Sequence, residues 1–231
     1  MKRLVESEWL DELPARDPRA ARSRHDIQRL NLLMNHHRIV ASALTEKFDW
    51  RRPQRVVELG AGGGEFLLSV ARKLDEHWKN LEATLVDCAD VFDARTRGEF
   101  STLGWNVNAE VADALSWLRQ CPLGKFEIIV TNLFLHQFPD QDLAEMLRLS
   151  AGAAVLFVAV EPRRGFLPLL LSHCVGMVGC GEVTRYDAPV SVRAGFCGRE
   201  LSALWPDKKN WELTERRAGL FSHLFIARRK T

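Results

Sequence analysis

From residue 55 onward, short apolar runs alternate with stretches whose apolar residues return every three or four positions. The first run, residues 55–59, is followed after a glycine series by a helical pattern over residues 65–74. Residues 83–87 give a second strand, and residues 90–103 a helix with Asp90 as its cap. Residues 108–113 give a third strand and residues 126–132 a fourth, apolar throughout its middle as a buried parallel strand is. A helix over 139–149 leads to a fifth strand over 153–160. After a returning helix at 198–204, residues 211–228 read as two strands joined near 217–219. Such alternation predicts an α/β fold with a parallel doubly wound sheet, ending in an antiparallel hairpin.

Two segments fall outside this rhythm. In residues 1–50, Leu4, Val5, Trp9, Leu10 and Leu13 recur at helical spacing before Pro14, and Ile27, Leu30 and Met34 do so after Pro18. These helices form either a packing appendage or a lid beside the main domain, residues 51–231. Within that domain lies an insertion over about residues 164–196. Its apolar part, 165–180, needs a cover: the N-terminal helices, a second copy of the chain in a homodimer, or a ligand. Residues 185–196 read as an ordered loop near the same mouth.

Composition narrows the classes. A chain of 231 residues with 46% hydrophobic content suits one α/β domain with an extra segment. The net charge is +2 and basic residues are interleaved with acids, so the electrostatic signature of a nucleic-acid binder is missing. The five cysteines form no CxxC pair, which points to free thiols in a reducing, cytoplasmic setting. No apolar stretch is long enough for a membrane span.

The chemistry concentrates at residues 55–64, Arg-Val-Val-Glu-Leu-Gly-Ala-Gly-Gly-Gly. Glycines at 60, 62 and 64 let a backbone turn tightly and approach a ligand closely. A dinucleotide fingerprint would place its third glycine where Glu65 stands, and a P-loop would need Lys-Ser/Thr where Glu65-Phe66 stand. What remains, Glu58-x-Gly60-x-Gly62-x-Gly64, resembles the first motif of the class I S-adenosylmethionine-dependent methyltransferases. The resemblance covers residues 55–160 by motif. It implies a Rossmann-like seven-stranded methyltransferase sheet, S-adenosyl-L-methionine as cofactor, and a small-molecule substrate.

The same resemblance assigns residues. Glu58, Gly60, Ala61, Gly62, Gly64 and Phe66 belong to the first strand, its turn and the next helix, with Glu58 suited to the cofactor's ammonium group. Asp87, 23 residues past Gly64, closes the second strand where a carboxylate grips two ribose hydroxyls, with Cys88 beside it. Asp113 and Ala114 match the adenine contact, though Asp113 also suits a helix N-cap. Asn132 and Leu133 end the fourth strand, Asn132 beside the sulfonium or fixing the turn. Leu133-Phe134 replaces the Pro-Pro of base N-methylating enzymes and argues against that acceptor.

His136 is the candidate catalytic base, since an ordinary histidine pKa of about 6.5 suits proton removal from a hydroxyl or phenol; His173 is a weaker one. Arg163 or Arg164 could bind an acidic substrate group. Thr131 stands where metal-dependent catechol methylation would want a carboxylate, so no metal is expected. Segments at 12–19, 32–37 and 191–196 are similar to a bacterial small-molecule group, some members of which accompany type III polyketide synthases. That implies a phenolic, quinone or polyketide-like acceptor. The alternatives are a non-catalytic scaffold that binds S-adenosylmethionine and an RNA or protein methyltransferase.

Overall fold

The apolar runs become the middle of one twisted sheet. The structure, a computed structural model, describes residues 1–48, 53–74 and 78–230. Seven strands, β1 (Arg55–Leu59), β2 (Leu81–Asp87), β3 (Trp105–Val111), β4 (Ile128–Asn132), β5 (Leu156–Pro162), β6 (Trp211–Ala218) and β7 (Ser222–Arg229), lie in the order β3-β2-β1-β4-β5-β7-β6. β1 pairs in parallel with β2 and β4, while β7 runs antiparallel to both β5 and β6. The chain order reverses at β1 and β4, which is where open α/β sheets bind ligands beyond the carboxyl ends of their strands.

Alternate residues of each strand feed two cores, as strand geometry requires. Val56, Ile128, Val130 and Val158 face one side, against α3 (His36–Lys47), α4 (Glu65–Ala71) and α5 (Ala94–Thr102). Val57, Leu59, Ile129 and Phe157 face the other, against α6 (Ala114–Gln120), α7 (Asp140–Ala153) and α10 (Glu200–Leu204). Val40 and Leu44 of α3 are buried in the first core, so that helix is a layer of the domain rather than a lid.

Several boundaries differ from expectation. The β3 strand ends at Val111, and α5 is capped by Asp93, whose carboxylate accepts from Thr96 N at 2.7 Å, rather than by Asp90. The predicted helix over residues 4–13 is a single turn, α1 (Trp9–Glu12), within an otherwise non-helical strap over residues 1–12. The strap spends its polar groups on other elements: Leu4 N donates to the Arg193 carbonyl, and Trp9 N and Leu10 N donate to the Asp187 carboxylate. The segment read as a loop at 185–196 is mostly helix α9 (Glu182–Ala194), despite Pro189 within it. Burial of Val183, Val190 and Val192 outweighs the lost backbone donor.

Helix α2 (Pro18–Leu33) packs on α9, and the buried Asp26 carboxylate ties them through Gly181 N at 2.7 Å. The N-terminal helices thus cover α9. They leave Phe166 and Leu170 of α8 (Phe166–Ser172), with Met177 beyond it, exposed.

Candidate active site

The glycine turn is fastened to the neighbouring strand before it reaches its helix. Gly60 N and Ala61 N both donate to the Val86 carbonyl, at 2.9 and 3.1 Å. Gly62 N donates to Asp87 Oδ2 at 2.7 Å, while Asp87 Oδ1 accepts from Ala89 N at 2.8 Å. Asp87 therefore stands at the turn, as expected, with each oxygen retaining acceptor capacity. Gly60 has φ +70°, and a Cβ there would lie 2.3 Å from the Phe134 ring. The turn and the exit of β4 touch at that point, and only glycine fits.

Beneath the turn, Glu58 is buried, and its Oε2 has no hydrogen-bond partner among the described residues. Burial, with Glu65 and Asp87 nearby, pushes its carboxyl well above the ordinary range. An orphaned carboxyl oxygen below a glycine turn suits a cationic ligand, so the residues present fit S-adenosylmethionine. Cys88 is exposed beside Asp87. Phe66 is half-buried against the first core, and Ala114 is buried in the second. Asp113 is the N-cap of α6, its Oδ1 accepting from Ser116 N at 2.7 Å.

The exit of β4 is bent sharply. Leu133 adopts φ +52°, a left-handed conformation that costs a non-glycine residue about 1–3 kcal/mol. Its amide is held by the Val160 carbonyl at 2.9 Å. A 3-10 turn, Leu135–Gln137, follows. Glu161, fully buried at the end of β5, accepts from the amides of Phe134 (3.1 Å), Leu135 (2.9 Å) and His136 (3.3 Å).

Of the two roles expected of Asn132, beside the sulfonium or fixing the turn, its hydrogen bonds are of the structural kind. Its Oδ1 lies 2.8 Å from His36 Nδ1, and its Nδ2 donates to Asn31 Oδ1 at 3.2 Å. His36 Nε2 lies 2.6 Å from Ser222 Oγ. Burial lowers the His36 pKa to about 4, against the opposing effect of Asn132, so the ring is neutral there. Asn132 links the sheet to the α2–α3 junction.

His136 differs from expectation. It is not an open imidazole of ordinary pKa: only 2% exposed, it lies between two carboxylates, Glu161 Oε2 2.8 Å from Nδ1 and Glu8 Oε1 3.2 Å from Nε2. Burial drives the ring's pKa down, but the hydrogen bonds and charges of Glu161 and Glu8 outweigh it and raise it to about 10. The ring is imidazolium at neutral pH while Glu8 is docked.

Arg164 is unavailable to a substrate. It is buried and donates to the Met1 and Gly195 carbonyls and to Glu200. Arg163 holds the Leu220 carbonyl from the surface, and His173 is exposed at the end of α8. The sequence reading missed Glu161 and Glu8 as partners of His136. Glu161 had a signal, an acid closing an apolar strand. Glu8 had none, since it is one acid among several near the N-terminus.

The fold is that of the methyltransferases, and residues 56–153 match the family described as "Methyltransferase domain". Among curated proteins, the chain is similar to the trans-aconitate 2-methyltransferase of Mycolicibacterium gilvum (strain PYR-GCK), 31% identical over 119 residues. That alignment takes in 49% of this chain and 41% of the relative, so the match spans about two-fifths of the relative's length. Among solved structures, an O-methyltransferase family protein from Burkholderia thailandensis superposes with a TM-score of 0.62 at 17% identity, over 94% of this chain and 61% of that one. The plantazolicin methyltransferase in complex with SAH gives 0.62 at 11% identity, over 93% and 92% of the two chains. Among the described residues, no helix is long and apolar enough to cross a membrane.

Proposed function

We propose that this chain is an S-adenosylmethionine-dependent methyltransferase whose acceptor is a small, largely apolar molecule bearing a phenolic or related hydroxyl. The observation that carries the reading is the glycine turn pinned to Asp87 above the unpartnered Glu58 oxygen. The methyltransferase-domain match over residues 56–153 and the likeness to a fold that binds SAH support it.

Glu58, Gly60, Gly62, Asp87 and the Asp113–Ala114 corner would hold the cofactor, which when bound supplies an electrophilic methyl group on a sulfonium. The chain's own task is alignment, and near-attack positioning can lower a barrier by roughly 7–11 kcal/mol. Leu133 and the turn after it would set the floor of the acceptor side. His136 would take a hydroxyl proton at Nε2 once Glu8 has left that nitrogen, with Nδ1 remaining on Glu161. The apolar insertion and the strap would wall the acceptor side, which favours a compact aromatic or polyketide-like molecule, in keeping with the resemblance to the polyketide-associated bacterial group.

Titration calorimetry with S-adenosylmethionine, then transfer of a labelled methyl group to a panel of phenols and quinones, tests the proposal. Binding with turnover on a phenol supports it. Binding with no turnover on any acceptor would favour a scaffold, and absence of binding would overturn the reading.

A further inference from the structure

The partner at the outer nitrogen of His136 comes from the far end of the chain. Glu8 is 7% exposed, and its Oε1 also accepts from the Ser191 hydroxyl of α9. With Glu161 at the inner nitrogen, both ring nitrogens face carboxylates and both donate. A ring in that state has no lone pair for an incoming proton.

We infer that Glu8 is a positioning residue for His136: docked, it holds the ring as a doubly hydrogen-bonded cation, and withdrawn with the strap it opens Nε2 to the acceptor hydroxyl. This rests on the methyl-transfer reading above. The step balances: Glu8 leaves carrying the Nε2 proton as a carboxylic acid, which makes the ring neutral with a lone pair at Nε2; the acceptor O–H bond then breaks and its proton passes to Nε2, the oxygen bonds to the methyl carbon, and the carbon–sulfur pair stays on sulfur.

The strap can leave as a unit with Glu8, because its own helical turn is a single one and its anchors are side chains and carbonyls of other elements. The charged groups facing this corner come from four places. The strap brings Glu8, Asp11 and Arg3, whose Nη2 donates to the His136 carbonyl at 3.0 Å. β5 brings Glu161, α7 brings Asp140, paired with Arg3 at 2.6 Å, and α9 brings Asp187 and Arg193, the latter paired with Glu6. Losing one of two flanking carboxylates lowers a histidine's proton affinity by roughly 1–3 pKa units, by analogy with other close ion pairs.

The test follows the His136 ring by NMR titration in the full chain, wild type against Glu8→Gln, alongside the pH profile of kcat/KM on any acceptor that turns over. The expected result is a drop of roughly 1–3 units in the ring's pKa, with the acid limb of the profile moving the same way. A second variant, Asp187→Ala, removes both acceptors that hold Trp9 N and Leu10 N without touching Glu8. It should speed hydrogen exchange over residues 1–12 and lower the ring's pKa as well. An unmoved titration in Glu8→Gln overturns the inference, as does a shifted titration with an unmoved acid limb, or a strap released in Asp187→Ala with the ring unchanged. Absence of S-adenosylmethionine binding sinks the functional reading instead, and the titration still decides whether Glu8 sets the ring's charge.

Discussion

Glu161 meets His136 twice, at the ring Nδ1 (2.8 Å) and at the backbone amide (3.3 Å), both through Oε2. Its other oxygen holds the amides of Phe134 and Leu135, so one carboxylate at the end of β5 organises the whole exit of β4.

Replacing that carboxylate should therefore cost more than a surface change. In Glu161→Gln the buried imidazolium keeps one charged partner and the turn gains a donor amide where acceptors are needed. Breaking a buried pair of this kind destabilises by about 3–5 kcal/mol. Urea denaturation measures it, and a loss under 1 kcal/mol would show that the turn does not depend on Glu161.

Gly60 and Phe134 should behave as a coupled pair. A Cβ at residue 60 would sit 2.3 Å from the ring, on a backbone with φ +70°. Gly60→Ala should lose about 1–2 kcal/mol from the left-handed conformation alone, with the clash in addition, and cofactor binding should go with it. Phe134→Ala removes the partner of that clash and loses the ring's own edge-on packing against Phe138. The double variant should thus be more stable than the sum of the single losses implies, a non-additivity that contacting residues show. Additive losses in a thermal denaturation cycle would mean that the contact carries no energy.

What the sequence made legible was the part governed by local rules. Alternating apolar runs announced five parallel strands and a hairpin, and three glycines with Glu58 marked the turn. Asp87 was found because its position follows from strand spacing. The strap, α9 and the Glu8 side of His136 were not legible, because each is fixed by contacts across more than a hundred residues of chain. Leu4 to Leu13 has helical periodicity, yet its amides bond to Asp187 and Arg193. Pro189 and Gly195 punctuate residues 185–196 like a loop, and tertiary burial overrides them. No local pattern could pair Glu8 with His136, 128 residues apart.

Asp87 offers the most direct check on the cofactor side. Its carboxylate holds Gly62 N and Ala89 N, and the same oxygens are the ones available to a ribose. Asp87→Asn keeps one acceptor oxygen and loses the charge. A hydrogen bond to a charged group contributes about 1.5–3 kcal/mol, so S-adenosylmethionine affinity should fall roughly 10- to 100-fold. Calorimetry reads this directly, and an unchanged affinity would remove Asp87 from the binding site.

Docking of the strap should weaken in two stages as pH rises from about 4 to 10. Burial, with Glu8 nearby, raises the carboxyls of Asp11 and Asp187 from 3.8 to about 6, the Trp9 and Leu10 amides opposing the shift at Asp187. An acid whose pKa is higher folded than unfolded favours the fold when protonated, so this support fades as pH climbs from about 4 through 6. His136 has the same sign for a different reason. Its pKa rises from 6.5 to about 10 on folding, so its support is complete below 6.5 and is lost as pH climbs through 10. Glu8 is shifted the other way, held below its ordinary value by His136 against the effect of burial, and matters only under acid conditions. Hydrogen exchange over residues 1–12, corrected for its intrinsic pH dependence, should show protection falling in two stages. Asp187→Asn should flatten the first stage and Glu8→Gln the second. Protection that rises with pH in wild type would mean that these groups do not hold the strap.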